Sequence, residues 1–380
     1  MEQIKNLFAI IADYIREIDK LLIILVFAAS AFGCLAVMSA TAYTENIRQF
    51  ITQAIAMLVG LALAVFISNI DYKTMQKWWV VVALIGVVPV ILTFFIGFAP
   101  AGTDDKAWLL LPGNMSFQPA ELLKICFIIT FSAHLVKAKP TINKLKTLIP
   151  VVLHGAFPVV LIHFQGDDGT ALVFGIMFAC MLFAAGLKLR YFAVALGAAI
   201  VAAPLAFFFV LNEDQKARIL YLFDLDSNLQ GIGYQQWMGR VAMANGGIFG
   251  QGLFSGSLTQ SQGVPKGYND FIFVCIGEEL GILGCLTVLI LLSAICFRCV
   301  NIARTAADDA GMFIAVGIFA MIFAQSVINL GMCMSLLPVI GITLPFFSAG
   351  GSSLLCLMCG IGVALSVHKH RNSGLIYLHK

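Results

Sequence analysis

Ten apolar stretches, each near the length that crosses a bilayer, constrain this chain more than any other feature. A membrane-spanning helix needs about 20 predominantly apolar residues, and only 11% of the residues are charged against 60% hydrophobic. The sequence therefore predicts an all-α polytopic membrane protein with about ten transmembrane helices. The predicted spans are residues 21–40, 51–70, 78–99, 119–136, 148–164, 169–187, 191–211, 270–297, 311–334 and 345–367.

The segments outside these spans complete the predicted organisation. Residues 1–20 have apolar side chains on one helical arc, which predicts an interfacial amphipathic helix or, equally, a helix packed on the rest of the protein. The run at 21–40 is too long for a removable signal peptide. We expect one membrane domain over residues 21–368 and a cytoplasmic tail over 369–380.

The positions of the charges predict the orientation. With both termini cytoplasmic, 16 of the 23 Lys and Arg residues lie on the inside, as the positive-inside rule requires. Most of the 20 acidic residues lie in outside loops or in the outer ends of spans. A net charge of +3 is too small to indicate nucleic acid as a partner. The ten cysteines lie in or beside apolar runs, so we interpret them as packing residues.

The connection between predicted helices seven and eight is the longest in the chain. This extracytoplasmic loop, residues 212–269, is long enough to suggest a function, and residues 228–268 are rich in glycine. Glycine lets backbone amides approach a polar ligand closely. A flexible loop without a binding role is the alternative.

The fourth predicted span opens with Gln118, Pro119 and, one turn later, Glu121 and Lys124. Spacing of three residues places the three polar side chains on one face. Ionisable groups within a membrane are costly and usually face a cavity or one another. We expect either a site or a structural ion pair.

An acidic turn follows the fifth predicted span. Asp167 and Asp168 are adjacent, which suits a divalent cation with oxygen ligands or a helix N-cap from Asp168. His163 lies nearby and is a further candidate ligand, although a lone histidine at a membrane interface is more often a bystander.

Three acids cluster at the start of the eighth predicted span. Asp270 directly follows the glycine-rich loop, and Glu278 and Glu279 lie deeper on different faces. A structural explanation would have to supply partners for all three. A carboxylate in such surroundings can have its pKa raised toward that of a general base.

Broken backbone is predicted where the ninth span meets the tenth. Residues 337–353 contain two prolines and several glycines and end in Ser352 and Ser353. Irregular backbone at membrane depth must line protein or water. We expect this segment to form a cavity wall.

Four of these segments together resemble the SEDS (shape, elongation, division and sporulation) proteins, the family that includes RodA, FtsW and SpoVE. The segments, in order, are Phe117 to Lys124, Gln165 to Thr170, Asn269 to Glu279 and Leu337 to Ser353. The chain departs from the family's pattern at Ala107, which stands where an Arg usually precedes Trp108. Lys106 lies one position earlier.

The resemblance implies a peptidoglycan glycosyltransferase that polymerises lipid II at the outer face of the bacterial cytoplasmic membrane, in elongation, division or sporulation. Asp270 would be the general base. An acidic outer face favours a bridging divalent cation, Mg²⁺ or Mn²⁺, with Asp270, Asp167 and Asp168 as candidate ligands. The substrate-binding residues implied are Glu121, Lys124, Gln118, Lys106, Trp108, Arg218, Arg240, Lys266, Asp167, Ser352 and Ser353.

Partners follow from the same resemblance. They are lipid II, a class B penicillin-binding transpeptidase, other elongation or division proteins, and membrane lipid. The alternative function is a flippase that moves a lipid-linked precursor, although the ionisable groups cluster at the outer ends of the spans. A scaffold for a partner enzyme would leave the buried acids unexplained.

Overall fold

The computed structural model describes residues 17–44, 47–99, 105–112, 115–225, 231 and 233–372. Its α-helices are α1 (Lys20–Ala40), α2 (Arg48–Ser68), α3 (Tyr72–Lys77), α4 (Trp79–Ile96), α5 (Pro119–Ala138), α6 (Leu145–His163), α7 (Asp168–Ala184), α8 (Leu189–Phe209), α9 (Glu213–Tyr221), α10 (Tyr234–Gly246), α11 (Ser257–Gln260), α12 (Ile272–Arg304), α13 (Asp309–Cys333) and α14 (Gly351–Lys369). A short antiparallel hairpin pairs β1 (Leu109–Leu111) with β2 (Met115–Phe117).

The predicted polytopic architecture is confirmed. Within the described residues, nine helices are long and apolar enough to cross a membrane, namely α1, α2, α4, α5, α6, α8, α12, α13 and α14. The shorter apolar helix α7, of 17 residues, accounts for the remaining predicted span.

The membrane helices differ in how much protein surrounds them. In the most apolar 18-residue stretch of α5, 78% of the residues are buried, whereas no residue is buried in the corresponding stretch of α8. Small residues bring the inner helices into backbone contact. At Gly362 on α14, an added Cβ would lie 2.8 Å from the carbonyl oxygen of Ala64 on α2. The bundle is therefore a packed centre with lipid-facing helices around it.

The long connection between α8 and α12 contains three helices, α9, α10 and α11, rather than an open loop. We call the end of the bundle that carries it the loop end. The last membrane helix also begins there, at Gly351 rather than at residue 345 as predicted. The helix cannot begin at residue 345 because Phe346 has a φ of +71°, which a helix cannot contain.

Helix α12 is broken at Gly281, which has a φ of +66°. The segment that follows α10 in the long connection fills the break, because its backbone pairs with the groups that the helix leaves open. The four hydrogen bonds run from Gln251 N to Glu278 O, from Gly252 N to Glu279 O, from Ile282 N to Gly247 O and from Leu283 N to Ile248 O. Backbone groups at this depth are thus satisfied, as a membrane requires.

Ion pairs tie the helices together at the opposite end. Arg298 of α12 lies 2.8 Å from the buried carboxylate of Asp19, just before α1. The predicted interfacial helix over residues 1–20 lies outside the described residues up to residue 16. Of the predicted tail, residues 370–372 form a 3₁₀ turn, and residues 373–380 lie outside the described residues.

Candidate active site

Asp270 lies two residues before α12 begins, at the loop end, and is 7% exposed. Within the described part of the chain, no group donates a hydrogen bond to its carboxylate. Burial raises the pKa of this carboxyl, Lys266 lowers it by less, and the charge of Asp167 adds to the rise. Asp270 therefore combines a fixed position with an unengaged carboxylate whose basicity is increased.

The backbone around Asp270 is held by the segment that precedes α14. Asn329 donates one hydrogen bond to the carbonyl of Asp270 and another to that of Ile342, both at 2.7 Å. Ser348 donates to the carbonyl of Asn269 at 2.7 Å. A Cβ added at Gly341 would lie 3.9 Å from Asp270 Oδ2. The predicted cavity wall thus faces Asp270, and Asn329 is its main support.

Glu121 and Lys124 form a buried ion pair on α5. The Lys124 ammonium lies 2.8 Å from Glu121 Oε1, and the whole of Lys124 is inaccessible to solvent. The charges of both residues act on the pKa of Asp167, and that of Asp167 acts on the pKa of Asp270. The Glu121–Lys124 pair therefore interacts electrostatically with Asp167, and Asp167 with Asp270.

A small polar recess lies beside the ion pair. It is lined by Glu121, Gln325, Thr343, Leu344, Pro345, Phe346, Ser348, Ser353, Leu354 and Leu357. Gln325 is 5% exposed, and no described residue hydrogen-bonds its side chain. We did not predict Gln325 from the sequence, although a lone amide inside an apolar span was a usable signal.

The acidic turn differs from the prediction in its capping residue. Asp167, not Asp168, caps α7, and its carboxylate accepts hydrogen bonds from Thr170 N at 2.9 Å and Gln118 Nε2 at 2.7 Å. His163 also contacts the turn. Its Nδ1 lies 2.5 Å from Asp168, which in addition accepts a hydrogen bond from Gln215 at 2.8 Å. The bond to Gln215 links the turn to α9.

The predicted outer cations fall into two groups. Lys106 and Lys266 are exposed. Arg218 donates to the carbonyl of Val339 at 3.0 Å, and Arg240 donates to that of Leu225 at 2.8 Å. The two arginines thus also hold the long connection in place.

Three more predicted residues have simpler positions. Trp108 is half-buried, and its carbonyl accepts a hydrogen bond from Phe98 N at 2.9 Å. Ser352 and Ser353 lie in the first turn of α14, both half-buried. Ser353 lines the recess beside Glu121, as expected for a segment that forms a cavity wall.

Glu278 and Glu279 have structural partners. Glu278 accepts four hydrogen bonds, from the amides of Leu258 and Thr259 and the hydroxyls of Ser257 and Thr259, at 2.6–3.2 Å. Glu279 accepts from Ser39 at 2.5 Å and from Gln260 at 2.8 Å. Of the three clustered acids, Asp270 alone has no hydrogen-bond donor on its carboxylate among the described residues.

Comparisons with known proteins agree along nearly the whole chain. The family model for FtsW, RodA and SpoVE, described as cell cycle protein, matches residues 19–373. The chain is 33% identical over 371 residues to the probable peptidoglycan glycosyltransferase FtsW of Bacillus subtilis (strain 168), with 93% of this chain and 91% of the relative covered. It is 29% identical over 355 residues to the peptidoglycan glycosyltransferase MrdB of Escherichia coli (strain K12), with 93% and 94% covered.

Solved structures share the fold. A chain of a peptidoglycan synthase complex superposes with a TM-score of 0.79 at 26% identity, covering 93% of this chain and 98% of that one. The rod shape determining protein RodA of Thermus thermophilus superposes with a TM-score of 0.69 at 24% identity, covering 93% and 97%.

Proposed function

Because this chain belongs to the FtsW, RodA and SpoVE family of cell cycle proteins, we propose that it polymerises lipid II into glycan strands in cell elongation, division or sporulation. The observation that carries the proposal is the buried Asp270 carboxylate, which has no hydrogen-bond donor among the described residues. A general base needs a free carboxylate with a raised pKa in reach of the substrate.

The reaction transfers a glycosyl group between two lipid-linked molecules. Asp270 takes the proton of the acceptor hydroxyl as its oxygen attacks the anomeric carbon of the donor. The bond from that carbon to the diphosphate breaks, and the lipid diphosphate leaves with its electron pair. The exposed ammonium groups of Lys106 and Lys266 are available to the diphosphate. Lys124 positions the Glu121 carboxylate and does not itself contact the diphosphate, because its ammonium is buried against that carboxylate.

A divalent cation is part of the proposal, as Mg²⁺ or Mn²⁺ carried by the diphosphate. The described residues contain no cluster of three or more His, Cys, Asp or Glu side chains that suits a metal. Asp167 and Asp168 are engaged by Gln118 and His163. The side chains that the structure describes therefore do not fit a resident metal, and we derive no step through one.

The loop end faces the outside of the cytoplasmic membrane in this proposal, with both termini cytoplasmic. A single cysteine at exposed Ser255 in the long connection should react with a membrane-impermeant thiol reagent in intact cells. A cysteine at exposed Lys146, at the opposite end, should react after the cells are opened. The reverse pattern would contradict the orientation.

The test of the activity is the purified protein with lipid II, assayed for glycan chains by gel. We propose that a class B penicillin-binding transpeptidase is a partner, so the assay is run with and without it. Membrane lipid and other elongation or division proteins complete the expected surroundings. Transport of lipid II across vesicles without any glycan product would instead support the flippase alternative.

A further inference from the structure

Four exposed basic residues lie at the end of the bundle opposite Asp270, on two different connections. Lys144 and Lys146 lie at the start of α6, and Lys188 and Arg190 lie at the start of α8. The sequence from 122 to 166 and from 169 to 212 contains no Asp or Glu. The two connections are therefore purely basic.

Asn143 joins these two connections through three hydrogen bonds. Its side chain donates to the carbonyl of Gly186 at 3.1 Å and accepts from the amide of Lys188 at 2.9 Å. Its carbonyl accepts from the Tyr191 hydroxyl at 3.0 Å. Arg190 in turn lies over the Tyr191 ring, 5.0 Å from the ring centroid. All four cations thus lie within three residues of Asn143 or of a group bonded to it.

These cations differ from several others at the same end, which have acidic partners. Lys73 lies 3.0 Å from Asp308, and Arg298 lies 2.8 Å from Asp19. None of Lys144, Lys146, Lys188 and Arg190 pairs with an acid of the described residues. Their charge remains available to an external anion.

The helix that rises from this basic surface is apolar and is exposed around most of its circumference. None of the 21 residues of α8 is buried against the described part of the protein. Val194, Leu196, Ile200 and Val201 are each more than 60% exposed. A molecule that covers both features must be anionic at one end and apolar along its length.

We propose that this surface binds an anionic phospholipid of the leaflet opposite Asp270, with its phosphate on the four cations and its acyl chains along α8. Basic clusters at membrane helix ends attract anionic headgroups. The backbone N–H groups at the starts of α6 and α8 add favourable dipoles to the same phosphate. The proposal does not depend on the catalytic activity, because the surface lies at the other end of the bundle.

The test compares two charge-matched variants of the full-length protein in detergent. One is Lys144→Gln/Lys146→Gln/Lys188→Gln, and its control is Lys20→Gln/Lys77→Gln/Arg304→Gln, which removes three other exposed cations of the same end. Bound dioleoylphosphatidylglycerol is counted by native mass spectrometry, with dioleoylphosphatidylcholine as the neutral reference. The first variant should bind the anionic lipid roughly a hundredfold more weakly, and the control should stay near wild type.

A third variant, Asn143→Ala, separates a built site from net charge. It keeps every cation but removes the two side-chain hydrogen bonds that join the connections. It should therefore also weaken binding of the anionic lipid. An unfolding temperature equal to that of wild type would show that the bundle is intact in each variant. Equal losses in both triple variants, or normal binding by Asn143→Ala, would overturn the proposal. Displacement of the lipid by inorganic phosphate would overturn the lipid as the occupant.

Discussion

Replacing Asp270 by Asn changes the proposed base and little else. Asn has the same size but cannot take up the acceptor's proton, and loss of a general base typically costs about 10²–10⁴ in rate. At about 1.36 kcal/mol per factor of ten, this raises the barrier by about 2.7–5.4 kcal/mol. The fold should not suffer, because no described group donates to the carboxylate and Asn329 bonds the backbone of residue 270.

The assay measures initial rates of glycan formation from lipid II by purified wild type, Asp270→Asn and a control. Glu213→Gln is a suitable control, since this carboxyl lies at the same end but is largely exposed and pairs with Lys216 within α9. The Asp270 variant should unfold at an unchanged temperature and lose at least a hundredfold in rate. Near-normal polymerisation by that variant would refute the assignment of the base.

Three further predictions concern pH, the ion pair and the broken helix. Since burial raises the pKa of Asp270, the rate should fall with decreasing pH at a higher pH than the ~3.9 of an exposed Asp; a limb at or below that value would contradict it. Lys124→Met strands the Glu121 carboxylate and should cost about 3–5 kcal/mol of stability, which Glu121→Gln in the same chain should partly restore in thermal unfolding. At Gly250, with a φ of +80°, an added Cβ would lie 2.1 Å from Glu279 O, so Gly250→Ala should destabilise by more than ~1 kcal/mol, whereas Gly197→Ala, which meets open space, should not.

The spans were predictable from the sequence because each is a local property of about 20 residues. The partners of the acids were not. Glu279 bonds Ser39, which lies 240 positions away, and no local pattern encodes that contact. Asp167 and Asp168 could each cap α7, and the choice depends on where the chain enters from α6.

The apolar pattern also did not predict which membrane helices are buried inside the protein. Helices α5 and α8 are both long and apolar enough to cross a membrane, yet most of α5 is buried in the protein and none of α8 is. In a bilayer an apolar side chain gains little by facing protein rather than lipid. Polar residues were the better guide, since Glu121 and Lys124 mark α5 as an inner helix.

The break at Gly281 also has a consequence for the order in which the chain is made. The amides of Ile282 and Leu283 have no partner within their own helix and pair with Gly247 and Ile248 instead. Those carbonyls are synthesised more than thirty residues earlier. The segment that carries these acceptors is therefore synthesised before residues 282 and 283, so the hydrogen-bond partners of their amides are already present when the helix forms.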